Sequence, residues 1–261
     1  MDLLFLLSMG AIAGMLAGLL GIGGGIVIVP VLAIVFATQG VDPAVLMHVA
    51  VGTSLGTIVV TSLSSMRAHQ KRGAIVWGTF RQITPGIIIG TLFGAWVAKQ
   101  IPGEDLKLMF ALFMLLVASQ MAMGMASKPH TQLPGRVGMS VTGVLIGIVS
   151  AIMGIGGGSM SVPFLTYCNM AVKNAVATSA AIGLPIAVSG ALGFVISGWD
   201  VALRPEMSLG YINLPAFLGI VVASTLFAPL GARLAHSLPD LVLKRFFAVF
   251  LAVLGLKLLL G

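Results

Sequence analysis

Charged residues are scarce in this chain. They make up 8% of its 261 residues, whereas 58% of the residues are hydrophobic. A soluble domain of this length needs far more charge, and long uncharged apolar stretches are typical of segments that cross a bilayer. The composition therefore excludes an ordinary soluble domain and predicts an all-α, polytopic membrane protein.

Acidic residues are missing from the interiors of the apolar segments. Each of the seven Asp and Glu residues lies at a segment end or in a loop. The hydrocarbon region thus lacks a carboxylate to hold Na⁺ or a divalent metal, or to relay protons. This pattern argues against cation transport, and if protons are coupled to transport, His48 or the substrate must carry them.

Cysteine is nearly absent as well. Cys168 stands alone, which excludes an internal disulfide and a cysteine ligand cluster, and we interpret it as a small buried apolar residue. No nucleophile, base or metal-ligand set has the spacing that hydrolysis needs. We therefore predict no enzyme activity, no metal and no cofactor. The start of the chain lacks the basic region of a cleaved signal peptide, so we expect the first segment to be retained.

Basic residues are in excess, with a net charge of +7. They lie in short stretches between apolar segments, which is typical of topology signals that face anionic lipid rather than of a nucleic-acid surface. Most apolar segments are near the ~20 residues that span ~30 Å of hydrocarbon. The sequence predicts about eight of them: 3–37, 45–65, 83–98, 107–125, 137–166, 174–197, 209–232 and 246–260.

A glycine motif interrupts the first and the fifth of these segments. Gly21 to Gly25, before Pro30, reappears as Gly154 to Gly158, before Pro163. Each glycine weakens a helix by about 0.8–1 kcal/mol relative to alanine, so the helix should open at both motifs. In a bilayer the freed backbone groups must meet protein, ligand or water. Paired breaks in two halves of a membrane chain are the best sequence indication of a transport site.

The second half of the chain repeats the first in order and spacing. Besides the glycine motif, Ala50 to Ser54 resembles Ala175 to Ser179, and residues 94–113 match residues 231–250 at many positions without a gap. We therefore predict a first membrane repeat at 1–126 and a second at 135–261, within one integral membrane domain.

Equivalent loops of the two halves differ in charge. Residues 66–82 carry four basic residues and no acid, whereas the equivalent loop carries Asp200, Arg204 and Glu206, and the next pair of loops reverses this bias. The positive-inside rule places residues 66–82, 126–136, 167–173 and 233–245 in the cytoplasm. This leaves ten Lys/Arg and one acid inside, and four Lys/Arg and six acids outside. The charges thus predict two inverted-topology repeats with both termini external.

This topology requires each glycine-broken segment to form a hairpin, or a pair of short spans. Short arms would bring the glycines of both hairpins together near the membrane midplane from opposite faces. A first arm of about 18 residues would reach ~27 Å and leave the glycines nearer opposite surfaces. We favour the first arrangement, because inverted repeats commonly place broken helices around a central site.

The breaks expose N–H groups at the start of the helices that follow. Such a helix start has a partial positive charge, and glycine lets a ligand approach the backbone closely, so an anion suits this geometry. The alternative is that the glycines serve only close helix packing. The candidate substrate-binding residues here are Gly23, Gly24, Gly25, Gly156, Gly157 and Gly158.

Polar residues near the breaks are further candidates. Thr53, Ser54, Thr178 and Ser179 lie a turn or two into the following helices, where their hydroxyls either donate to substrate oxygens or bond to the backbone.

His48 and Lys173 occupy matching positions before these pairs. They either add positive potential at a helix start or lie at the membrane interface.

Arg81 and Asn213 complete the candidate set. Arg81 lies four residues before Pro85, as Tyr211 lies four before Pro215, with Asn213 between. Arg81 either guards the cytoplasmic entrance for an anion or acts as a topology determinant in a basic loop.

At these motifs the chain resembles the sulfite exporter TauE/SafE family of membrane transporters. The resemblance covers both repeats. It implies a carrier in a bacterial or archaeal inner membrane for small sulfur-containing or organic anions, such as sulfite or organosulfonates, often in the export direction. The residues that carry the resemblance to the family are 21–30, 50–54, 154–163, 174–179 and 210–215.

We therefore hypothesise a secondary membrane transporter that binds a small anion between two inverted repeats and exposes it alternately to each side. A passive anion channel and a non-transporting membrane scaffold or assembly factor are the alternatives. The expected partners are the anionic substrate and the lipid bilayer, not nucleic acid, and the sequence is compatible with a homodimer.

Overall fold

Helices form nearly all of the described structure. A computed structural model describes residues 24–123, 131–237 and 240–260, apart from the side chains of residues 228–241, 243 and 244. The helices in these ranges are α1 (Gly25–Thr38), α2 (Pro43–Lys71), α3 (Trp77–Gln100), α4 (Gly103–Ala122), α5 (Arg136–Met153), α6 (Gly158–Tyr167), α7 (Val172–Ser197), α8 (Leu214–Ser237) and α9 (Asp240–Leu260). The strands β1 (Ser208–Leu209) and β2 (Ile212–Asn213) pair antiparallel before α8.

The helices differ in whether they can cross a membrane. Four of the described helices, α2, α4, α5 and α7, are long and apolar enough to do so, in agreement with a multi-pass helical membrane protein. This does not confirm the predicted number of about eight segments. The helices that follow the glycine motifs are short: α1 has 14 residues and α6 has 10. Their lengths of about 21 and 15 Å cannot span ~30 Å of hydrocarbon.

The helices α2 and α7 pack against each other and run antiparallel. At one end, the N–H of Val76, just after α2, donates to Thr178 near the start of α7 at 3.0 Å. At the other end, the ring of Tyr211 stacks on His48 near the start of α2 and packs edge-on against Phe194 near the end of α7. These two helices, which are equivalent in the predicted repeats, therefore point in opposite directions.

Glycine lets α3 and α5 approach each other more closely than other residues would allow. A Cβ atom on Gly94 would lie 2.7 Å from the carbonyl oxygen of Ile148, and one on Gly90 would overlap the carbonyl of Val144. The contacts advance along both helices in the same direction, so α3 and α5 are parallel. Such packing on small residues is common between helices in membranes, and here it involves glycines outside the two motifs.

The predicted segment 209–232 is wrong at its start, where the chain forms a hairpin instead of a helix. The turn between β1 and β2 contains Gly210 with a φ of 56°. A Cβ atom on Gly52 in α2 would lie 2.7 Å from the carbonyl oxygen of Tyr211, so the hairpin lies directly against α2. The helix α8 begins only after Asn213, whose side-chain oxygen accepts the N–H of Ala216 at 3.0 Å. This is the usual role of asparagine at a helix N-cap.

Candidate substrate site at the glycine breaks

The two glycine motifs form the same local structure. Gly24 precedes α1 with φ 73° and ψ −15°, and Gly157 precedes α6 with φ 74° and ψ −9°. This left-handed conformation is one that glycine adopts without the strain that a Cβ atom would cause. The Gly157 carbonyl accepts the N–H groups of Met160 and Ser161, as the Gly24 carbonyl accepts those of the residues at matching positions in α1. The repeated motif thus starts a short helix in each half.

The two motifs also contact each other. A Cβ atom on Gly25 would lie 2.6 Å from the carbonyl oxygen of Gly154 and 2.8 Å from the Cα of Ile155, so the start of α1 lies against the backbone of the second break. Gly23 falls outside the described residues. We expected both arms of each glycine-broken hairpin to be short. This expectation is wrong for the second hairpin, because its first arm, α5, has 18 residues. The described parts of the two breaks meet nevertheless.

One hydroxyl of the predicted Thr-Ser pairs holds the second break against α2 of the first half. Ser54 Oγ donates to the carbonyl oxygen of Gly154 at 2.8 Å, and both groups are buried. Carbonyl groups that a helix break releases need a partner, and here a serine of the other half supplies one.

The two threonines make matching bonds across the halves. Thr53 Oγ1 accepts the N–H of Asn213 at 2.9 Å, and Thr178 Oγ1 accepts the N–H of Val76 at 3.0 Å. Asn213 and Val76 each directly precede a helix, α8 and α3 respectively. Each threonine therefore positions the start of a helix that belongs to the other half. These hydroxyls do bond to backbone, as the alternative interpretation held, but to the backbone of distant segments.

Replacing Thr53 by valine should destabilise the protein. Thr53→Val keeps the size of the side chain but leaves the buried N–H of Asn213 without its acceptor, which costs about 1–3 kcal/mol. Thermal or denaturant unfolding in detergent measures the loss. Thr61→Val is the matched control in the same helix, because the half-buried Thr61 bonds only the carbonyl of Ile58 in its own helix at 3.3 Å. Equal stability of both variants would show that the bond to Asn213 contributes nothing.

His48 is bound into the protein near the start of α2. It is 3% exposed, and its Nε2 donates to the carbonyl oxygen of Ala98 at 2.9 Å. A carbonyl oxygen can only accept, so Nε2 carries a proton. The other ring nitrogen, Nδ1, has no partner among the described residues. The ring stacks on Tyr211 at a centroid distance of 5.1 Å, and burial raises the pKa of the Tyr211 hydroxyl.

The structure does not bring Lys173 or Arg81 to the breaks. Both are exposed, Lys173 in the first turn of α7 and Arg81 in the second turn of α3. Asn213 is buried, and its side-chain oxygen caps α8. A substrate-binding role for these three residues stays a prediction.

Sequence reasoning missed two serines beside the second break. Ser150 in α5 and Ser161 in α6 are fully buried, and their hydroxyls have no partner among the described residues. Their Oγ atoms lie 3.6 and 3.4 Å from the point where a Cβ atom of Gly157 would be. A signal for Ser161 was present, because it replaces Ile28 in an otherwise similar motif.

A separate cavity of about 490 Å³ lies in the loop between α7 and β1. Its lining includes Asp200 and Glu206, whose charge is unfavourable for an anion. Arg204 also lines it, and its guanidinium donates to the carbonyls of Gly198 and Trp199 at the end of α7. Among the described residues, no three His, Cys, Asp or Glu side chains are placed to hold a metal ion.

The fold and the breaks define a class of protein. Two short helices that begin at touching glycine breaks inside a multi-pass helical protein are typical of membrane transporters, which place binding sites at discontinuous helices. A family model of the sulfite exporter TauE/SafE proteins matches residues 6–258, and the chain belongs to this family.

Curated relatives agree with this assignment. A "Probable membrane transporter protein" from Haemophilus influenzae is 40% identical, and the match covers 99% of this chain and 98% of that protein. A similarly named protein from Methanocaldococcus jannaschii is 29% identical over 98% of this chain and 94% of its own length. YunE from Bacillus subtilis is 27% identical, with 99% and 98% covered. No solved structure shows a significant match. The family and the relatives indicate a membrane transporter.

Proposed function

We propose that this protein is a secondary transporter that exports or exchanges a small organic or sulfur-containing anion of the sulfite or organosulfonate class. The observation that carries the proposal is the contact between the two breaks, where Gly25 lies against Gly154. Two short helices start there with left-handed glycines, and the first N–H groups of each helix have no partner within it. Together with the helix dipole, these groups favour a negatively charged ligand. The family name supplies the sulfite class.

We further propose that the two halves are inverted repeats that alternate in exposing the site. The antiparallel direction of α2 and α7 supports this proposal, and so do the matching bonds of Thr53 and Thr178 to helix starts of the opposite half. A rocking motion of one half against the other would open the breaks to one side at a time. We also propose that the protein lies in a bacterial or archaeal inner membrane, as the family resemblance implies. The charge distribution favours an orientation with residues 66–82 in the cytoplasm and both termini external.

Counterflow in liposomes tests the proposal. Purified full-length protein is reconstituted into vesicles loaded with unlabelled methanesulfonate, and the uptake of radiolabelled methanesulfonate and sulfite is measured. A carrier gives saturable uptake that the internal anion accelerates. Linear uptake without acceleration would instead identify a channel. No flux of methanesulfonate, sulfite or acetate, combined with copurification of a single partner protein, would identify a scaffold.

A further inference from the structure

Three serine hydroxyls beside the second break have no hydrogen-bond partner in the described structure. They belong to Ser150, Ser161 and Ser179, which are 0%, 0% and 2% exposed. A buried hydroxyl without a partner lowers stability, so such groups call for an explanation such as a ligand. Three unpartnered hydroxyls near the start of one helix are not explained by a single local defect in packing.

Two of these hydroxyls lie at the start of α6, and the third lies on a helix face that contacts the second break. The Oγ atoms of Ser161 and Ser150 lie 3.4 and 3.6 Å from the position of a Cβ atom on Gly157, and the Cδ1 of Ile186 lies 2.4 Å from the same position. Ser179 lies one helical turn before Gly183 in α7, and a Cβ atom on Gly183 would be 3.0 Å from the carbonyl oxygen of Gly156. Residues four apart share a helix face, so Ser179 is on the face of α7 that contacts the second break.

The first turn of α1 lacks the serines that α6 has at the matching positions. Ile28 stands where α6 has Ser161, and Ile26 stands where α6 has Ser159. Both isoleucine side chains are buried, at 0% and 7% exposure. The two breaks therefore share a backbone conformation but differ in chemistry: within the described residues, the first turn of α6 carries a buried serine hydroxyl where the first turn of α1 carries a buried isoleucine.

The donors at the second break are uncharged. Among the residues whose burial the structure describes, no Lys or Arg is buried. The cost of moving an ion into a medium of low dielectric constant grows with the square of its charge, and a dianion would find no buried cation to offset it. Neutral donors at a helix start therefore favour a single negative charge.

We infer that the second break is the substrate site and that it takes an oxyanion with one negative charge, such as an organosulfonate. Its oxygens accept from the hydroxyls of Ser150, Ser161 and Ser179 and from the first N–H groups of α6. The first break supports this site by packing Gly25 against Gly154. The inference rests on the proposed transport function and assigns its site and charge preference.

Kinetics of methanesulfonate counterflow in proteoliposomes test the inference. Ser161→Ala and Ser150→Ala each remove one hydrogen bond to a charged group, so KM should rise about tenfold while the maximal rate changes much less. Ser179→Ala carries the same expectation, which keeps the test decisive if one variant does not fold. Ser189→Ala is the control, because its buried hydroxyl already donates to the carbonyl of Pro185 within α7. Sulfate should compete with methanesulfonate far more weakly than a second sulfonate does.

The outcomes separate the inference from the function on which it rests. Folded serine variants with the wild-type KM would overturn the assigned site and leave the transport function standing. Sulfate that competes as well as a sulfonate would overturn the preference for a single charge. A wild-type protein that exchanges neither methanesulfonate, sulfite nor acetate would overturn the transport function, and the inference with it.

Discussion

Gly157→Leu is expected to abolish anion exchange, lowering the initial rate of counterflow by about 100-fold or more. Gly157 has a φ of 74°, where a residue with a side chain is strained by roughly 1–2 kcal/mol. The added side chain would overlap Ile186 and crowd the hydroxyls of Ser161 and Ser150. A ligand that needs the first N–H groups of α6 could no longer reach them.

Gly40→Leu is the matched control for this variant. Gly40 has a similar φ of 70°, but no atom of the described residues lies within 4 Å of its Cβ position. It therefore carries the same backbone strain without filling any space near the breaks. Expression level and gel filtration in detergent report whether each variant folds. If folded Gly157→Leu exchanges methanesulfonate at the wild-type rate, the second break does not bind the substrate.

Gly90→Ala should cause a large loss of stability for the addition of a single methyl group. Its Cβ atom would overlap the carbonyl of Val144, and the Cα of Val144 would be only 2.7 Å away. These are backbone atoms that cannot rotate aside, so α3 and α5 would have to separate. Overpacking typically costs 1–3 kcal/mol, and a forced separation of two backbones should reach about 3 kcal/mol or more. Unfolding by SDS or heat in detergent micelles measures the change.

Gly78→Ala provides the comparison within the same helix. In the described part of the chain, no atom lies within 4 Å of a Cβ atom at Gly78. The methyl group therefore meets no neighbour there, and the helix gains from the better propensity of alanine. We expect wild-type or slightly higher stability for this variant. A similar loss of stability in both variants would mean that close packing of α3 on α5 is not what the glycines provide.

Hydropathy was sufficient to predict most of the helices, because the contrast between apolar segments and charged loops is large. The segment predicted at 45–65 lies within α2, and that at 174–197 nearly coincides with α7. The positions of both described helix starts at the glycine motifs also follow from the sequence, since glycine both weakens a helix and permits a positive φ. Residues 209–213 were misassigned because an apolar composition does not distinguish a buried hairpin from a helix.

The partners of the polar side chains could not be predicted. The bond from Asn213 to Thr53 joins residues 160 positions apart, and local sequence holds no signal for such a contact. Ser161 is a different case, because its signal is a difference between the two motifs and not an identity. The difference between Ser161 and Ile28 was the more informative observation. The inverted insertion of the two halves stays a prediction, because it concerns their orientation in a bilayer.

In the proposed mechanism, two oppositely oriented halves bring their glycine breaks together at the anion site. The most direct test labels Gln39→Cys and Lys173→Cys, both exposed positions, with a membrane-impermeant maleimide in a Cys168→Ala background. Burial raises the pKa of the Cys168 thiol, so its removal eliminates only a slow background reaction. We predict that Gln39→Cys reacts in intact bacterial cells, whereas Lys173→Cys reacts only in inside-out vesicles. Reaction of both cysteines from the same side would contradict the inverted arrangement and the alternating-access mechanism that depends on it.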